Sequence, residues 1–153
     1  MISCTFTGHR KIFSDCSENI DRILECLLAE YGSLKCYVGE DGDFDALCAA
    51  RVKRLKENHP ENSIRLILAL PYMRERINRN RGFYTSFYDE IVVPHETFGA
   101  YSKGAFSLCN RWKVDRSDFV ISFVTKSFGG AFETVKYAEK KGKRVINIGK
   151  IPL

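Results

Sequence analysis

Three glycine-bearing segments contain the side chains of this sequence that could bind an anion. The first is Thr7-Gly8-His9-Arg10, the second is the GEDGDFD run from Gly39 to Asp45, and the third is the pair Gly129-Gly130. Glycine has no Cβ and therefore lets a ligand approach the backbone. The first N–H groups of a helix attract negative charge, and an arginine binds a phosphate through two N–H groups. The chemistry that these segments offer is anion binding, most simply of a phosphate.

Each of these segments lies between a predicted strand and a predicted helix. Short apolar runs rich in β-branched and aromatic residues predict strands that are buried on both faces. These six strands are Ile2–Phe6, Leu34–Val38, Ile64–Leu70, Glu90–Val93, Phe119–Val124 and Val145–Ile148. Five helices are predicted between them from apolar residues three and four apart, with a single irregular helix over residues 72–89. The alternation predicts one α/β domain over residues 1–153, a Rossmann-like three-layer sandwich with a mostly parallel six-stranded sheet.

The carboxyl ends of parallel strands meet at one edge of a sheet, so the three segments should border one cleft. We predict that Gly129, Gly130 and Arg10 hold a phosphate, and that Asp41 or Asp45 accepts a hydrogen bond from a ribose hydroxyl. Asn110 and Arg111 should reach the same cleft, unless they only cap a helix end. The complete predicted ligand-binding set is Gly8, His9, Arg10, Gly39, Asp41, Gly42, Asp45, Asn110, Arg111, Gly129, Gly130 and Glu133.

The amino-acid sequence also argues against three other classes, namely metal-binding, membrane-spanning and exported proteins. The six cysteines form no C-x-x-C pair and have no paired histidine nearby, so we expect no metal site. The sequence identifies no cofactor, other than a nucleotide or ADP-ribose-like molecule as a possible ligand. No apolar run approaches the roughly 20 residues that span a bilayer, and no signal peptide is recognisable, which favours a cytoplasmic protein with no membrane partner. The sequence leaves homo-oligomerisation open.

The net charge of +5 is modest. One basic cluster consists of Arg74, Arg76, Arg79 and Arg81, and a second consists of Lys136, Lys140, Lys141, Lys143 and Arg144. No recognised nucleic-acid-binding module accompanies either cluster. The sequence therefore favours a solvated basic surface, and the expected partner is a small phosphorylated nucleotide-like ligand rather than nucleic acid.

The order of the motifs resembles the YpsA-like family of the SLOG superfamily, whose members have a Rossmann-like fold. The matching runs are TGHR from Thr7, GEDGDFD from Gly39, AYSKGAFSLCNRWKVDRSD from Ala100 and GGAFETVKYAEKKGKRVINI from Gly129. Relatives in the superfamily include LOG phosphoribohydrolases and the DNA-binding protein DprA. The resemblance implies a pocket for a nucleotide or an ADP-ribose-like molecule, with sensing or regulation as its output.

Two other functions stay open at this stage. The first is hydrolysis of a nucleotide N-glycosidic bond, with Glu133 as the carboxylate near the anomeric carbon and His9 as an acid or base. The LOG motif PGG-x-GT-x-x-E is altered here, because Phe128 replaces its proline and Lys136 its glutamate. The resemblance therefore carries over no catalytic pair. The second function is DprA-like DNA binding through the arginines at positions 74–81.

Overall fold

A six-stranded sheet with the strand order β4-β3-β2-β1-β5-β6 forms the centre of the computed structural model, which describes residues 1–100 and 102–150. Tyr101, within the AYSKG run, and residues 151–153 of the predicted domain lie outside the described residues. The strands are β1 Ile2–Gly8, β2 Ser33–Val38, β3 Ser63–Ala69, β4 Glu90–Val92, β5 Phe119–Phe123 and β6 Arg144–Asn147. All pairings between neighbouring strands are parallel. The predicted α/β fold is confirmed, with a fully parallel sheet.

Helices cover both faces of the sheet. They are α1 Ser17–Tyr31, α2 Asp43–Asn58, α3 Glu75–Arg79, α4 Arg81–Phe87, α5 Ser102–Asp115 and α6 Gly130–Lys140, with 3₁₀ helices at His95–Thr97 and Ile148–Lys150. The predicted single helix over residues 72–89 is instead two short helices. The break falls at Asn80, whose side-chain amide donates a 2.8 Å hydrogen bond to the carbonyl of Arg76 in α3.

Alternate residues of β5 point into two different parts of the core. Phe119 and Ile121 belong to the large apolar cluster that β1–β3 form with α1 and α2. Val120 packs on the opposite face with Val114 of α5 and Ala138 of α6. This alternation places one helical layer on each face of the sheet.

The strand order reverses at β1, which pairs with β2 on one side and β5 on the other. The chain leaves β1 and β5 toward opposite faces of the sheet, and a crevice opens between the two loops that follow them. Two glycines allow close packing beside it. A Cβ on Gly8 would lie 2.5 Å from the Phe44 ring, and a Cβ on Gly42 would lie 2.6 Å from the Cα of Arg10.

Candidate functional site

A cavity of about 620 Å³ occupies this crevice. Its walls come from the end of β1, the β1–α1 and β5–α6 loops, the start of α2 and the inner side of α5. The residues that line it include Thr7, Lys11, Phe13, Phe106, Lys113, Lys126 and Phe128. The volume lies within the range of about 300–1,000 Å³ that is usual for small-molecule sites.

The structure brings most of the predicted ligand-binding residues to this cavity. Eight of them line it, namely Gly8, His9, Arg10, Asp41, Asp45, Asn110, Gly129 and Gly130. Arg111 and Glu133 line an adjoining cavity of about 400 Å³, which shares Arg10, Asn110 and Gly130 with the first. Gly39 and Gly42 line neither cavity. Gly42 packs against the backbone of Arg10, and Gly39 packs against the side chains of Asp45 and Lys113.

His9 connects the two loops at the mouth of the cavity. Its Nε2 accepts a 2.9 Å hydrogen bond from the backbone N–H of Thr125, and the backbone N–H of His9 donates to the carbonyl of Phe123. Burial and the nearby Lys126 lower the pKa of His9, which favours the neutral ring that this acceptor role requires. The geometry gives His9 a positioning role, since Nε2 is already occupied by a backbone amide.

The anion-binding end of the cavity is the N-terminus of α6. Gly129 has a left-handed φ of 98°, a backbone conformation that favours glycine, and it precedes the first helical residue, Gly130. Both glycines are exposed, and a Cβ on Gly130 would meet no atom of the described residues within 4 Å. The open space above these N–H groups is suited to a phosphate.

Two exposed phenylalanines flank the mouth, and the sequence analysis did not identify them. Phe13 on the β1–α1 loop is 96% exposed, and Phe128 on the β5–α6 loop is 67% exposed. The cations on the same loops are Arg10, Lys11 and Lys126, and none of them forms an ion pair with a described residue. A lone aromatic residue beside basic residues in a polar loop was the available sequence signal.

The inner end of the cavity contains a buried lysine that was also missed. Lys113 of α5 is only 6% exposed, and its Nζ makes no hydrogen bond or ion pair with the residues that the structure describes. Beside it, the Asp45 carboxylate accepts a 3.2 Å hydrogen bond from the N–H of Asp41. Burial raises the pKa of Asp45, and the charge of Lys113 opposes that rise.

The arginines on which the DNA-binding hypothesis was based are largely engaged with other side chains. Arg74 lies 2.8 Å from the Asp41 carboxylate and 3.8 Å from that of Glu40. Arg76 lies 3.1 Å from Glu40, and Arg79 lies 2.7 Å from Glu75. Arg74, Arg76 and Arg79 are therefore ion-paired within the fold, unlike the cations at the cavity mouth. Arg81 forms no ion pair with a described residue and donates a 2.8 Å hydrogen bond to the Asn78 side chain.

Within residues 1–100 and 102–150, no three side chains of the metal-binding types are grouped closely enough to hold an ion. Over the same residues, no helix combines the length and the apolar composition that crossing a membrane requires.

No protein-family model and no curated protein matches this sequence. Among solved structures, the chain is similar to DNA processing protein A (DprA) from Streptococcus pneumoniae, with a TM-score of 0.65 and 15% identity over 94% of this chain. It is also similar to DprA from Helicobacter pylori, with a TM-score of 0.63 and 20% identity over 94% of this chain. The chain spans 49% and 63% of the length of those two proteins.

These similarities show that the chain has the Rossmann-like fold of DprA, which the sequence resemblance names as a relative. None of these comparisons matches the YpsA-like family, so membership in that family stays a prediction. One earlier expectation is wrong. We predicted that nucleic acid is not a partner, but the Helicobacter pylori neighbour is described by its single-stranded DNA binding mode.

Proposed function

We propose that this protein binds single-stranded DNA across the mouth of the cavity between β1 and β5. The observation that carries the proposal is the pair of exposed phenylalanines, Phe13 and Phe128, beside the unpaired cations of the same two loops. Aromatic faces on which bases stack, together with cations that follow the phosphates, are the usual means by which proteins hold single strands. The shared fold with a protein described as binding single-stranded DNA supports the same function.

The protein also offers a binding site for the phosphate backbone of the single-stranded DNA. The N–H groups of Gly129 and Gly130 offer hydrogen bonds to one phosphate, and Arg10 and Lys126 add charge-assisted contacts to it or its neighbour. The phenylalanines can stack only on exposed base faces. In a duplex the base faces are covered by neighbouring base pairs, so a duplex can make only the phosphate contacts. The site therefore favours single strands over double strands.

The test is a titration of labelled oligothymidine followed by fluorescence anisotropy, repeated with a duplex of equal length. We expect saturable binding of the single strand and weaker binding of the duplex. If Arg10, Lys11 and Lys126 each neutralise one phosphate, the logarithm of the association constant should fall with the logarithm of salt concentration with a slope of about −2. Equal affinity for both forms, or no binding at low salt, would refute the proposal.

A second candidate is a small phosphorylated ligand, a nucleotide or an ADP-ribose-like molecule, held in the cavity alone. The cavity volume of about 620 Å³ favours it, because a mononucleotide fits within such a space. Calorimetry with ADP-ribose, NAD and nucleoside monophosphates distinguishes binding of a small ligand from binding of single-stranded DNA. Tight binding of one of these, with no binding of oligothymidine, would favour the small ligand.

Hydrolysis of a glycosidic bond receives less support from the geometry. Glu133 is exposed and lines the adjoining cavity with Arg111, whereas Gly129 and Lys113 line the main one. The candidate acid or base His9 uses its Nε2 to hold the Thr125 amide. Release of free base from a nucleotide panel, lost in Glu133→Gln, would establish this activity.

A further inference from the structure

We propose that the inner end of the cavity recognises a guanine base of the bound strand through Lys113 and Asp45. In this arrangement the Lys113 ammonium donates to guanine O6, and the Asp45 carboxylate accepts from the N1–H and the N2 amino group. The inference rests on the proposed binding of single-stranded DNA and adds a base preference to it.

The first observation is that the ammonium of Lys113 has free hydrogen-bonding capacity. A buried ammonium is costly unless another group supplies hydrogen bonds and compensating charge. The Lys113 side chain is 6% exposed and lines the cavity. Its Nζ is not itself fully buried, lies within about 6 Å of the Asp45 carboxylate, and donates no hydrogen bond to a described residue. A hydrogen-bond acceptor on a bound ligand would supply the partner that the Lys113 Nζ lacks.

The second observation is the position of Asp45 relative to Lys113. A Cβ added to Gly39 would lie 3.1 Å from the Lys113 Nζ and 2.9 Å from the Asp45 Oδ2. The two groups therefore border one point in space, although they do not form an ion pair with each other. Both residues also line the cavity, so a donor and an acceptor lie side by side in its wall.

Hydrogen-bonding chemistry then selects the base. Lysine only donates and an ionised carboxylate only accepts, with two oxygens. Every base offers some donor and some acceptor, but guanine alone offers two adjacent donors beside an acceptor on its Watson–Crick edge. Enzymes that take a base into a pocket read this edge by hydrogen bonds. Guanine is thus the base that can donate twice to the Asp45 carboxylate, whose Oδ2 also accepts from the Asp41 N–H, while it accepts from the ammonium of Lys113.

The test uses oligothymidines that carry one central substitution by guanine, adenine, cytosine or inosine, and measures their affinities by anisotropy at one salt concentration. We expect the guanine strand to bind about tenfold more tightly than the adenine and cytosine strands, which is the scale of one bidentate contact. The inosine strand, whose base lacks the N2 amino group, should bind with an affinity between that of the guanine strand and those of the adenine and cytosine strands.

Two variants assign the preference to this pair. In Lys113→Met and Asp45→Asn, the ratio of guanine to adenine affinity should fall to about one, with circular dichroism confirming that each variant is folded. If a variant does not fold, the base panel on the unmodified protein still decides the question. Binding of all strands with equal affinity would overturn the guanine inference and leave strand binding intact, whereas no binding of any strand would refute the proposed function itself.

Discussion

Replacing both Phe13 and Phe128 by alanine is expected to weaken the binding of oligothymidine by about a hundredfold. Stacking of one base on an aromatic side chain contributes about 1–3 kcal/mol, and 1.4 kcal/mol corresponds to a factor of ten in affinity. Each single variant should therefore lose about tenfold. The slope of affinity against salt should stay unchanged, because neither substitution removes a charge. Anisotropy titrations at several salt concentrations measure both quantities.

Phe98→Ala is the matched control for these variants. Phe98 is 65% exposed, nearly the same as Phe128, but it borders a separate groove with Tyr72 and Met73. We expect its affinity for oligothymidine to equal that of the unmodified protein. A similar loss in Phe98→Ala and in the double variant would mean that the loops at the cavity mouth are not the stacking surface.

The second large effect is expected from Gly130→Glu, which should reduce the affinity for single-stranded DNA by at least about tenfold. The new carboxylate would stand at the start of α6, where the N–H groups attract an anion, and would repel the phosphate from that position. Among the residues that the structure describes, none has an atom within 4 Å of a Cβ at Gly130, and an acidic residue in the first turn of a helix is favourable. The variant should therefore fold, so the loss reports on binding.

Gly82→Glu provides the control for this charge change. Gly82 lies in α4, and a Cβ there also meets no atom within 4 Å. Both variants lower the net charge by the same amount, so a general electrostatic effect would weaken both equally. We expect only Gly130→Glu to lose affinity, and equal losses would argue against a phosphate site at the N-terminus of α6.

The sheet and its glycine-bearing turns could be predicted from the sequence because burial leaves a local signature. Residues 119–123 are buried on both faces, so the strand appears as an uninterrupted apolar run. Gly8 ends β1 and Gly129-Gly130 follow β5, and the parallel topology alone places them at one edge. Eight of the predicted ligand-binding residues line the cavity for this reason.

The features that were missed depend on contacts between distant parts of the chain. Lys113 has the sequence signature of a solvent-exposed charge near a helix end, and only the packing of α5 beside Asp45 buries it. The sequence suggested Arg74 as a DNA contact, but in the folded chain Arg74 forms an ion pair with Asp41. Phe13 lies in a loop without periodicity, so no pattern distinguished an exposed ring from a buried one.

The most direct test of the proposed function is a map of the backbone amides that respond to oligothymidine, recorded by NMR on isotope-labelled protein. The proposal predicts the largest shift changes in the β1–α1 loop around Lys11 and Phe13 and in the β5–α6 loop around Lys126 and Gly130. The arginine-rich helices α3 and α4 should change little. Changes confined to α3 and α4, or no changes at saturating oligonucleotide, would contradict the assignment of single-stranded DNA to this cavity.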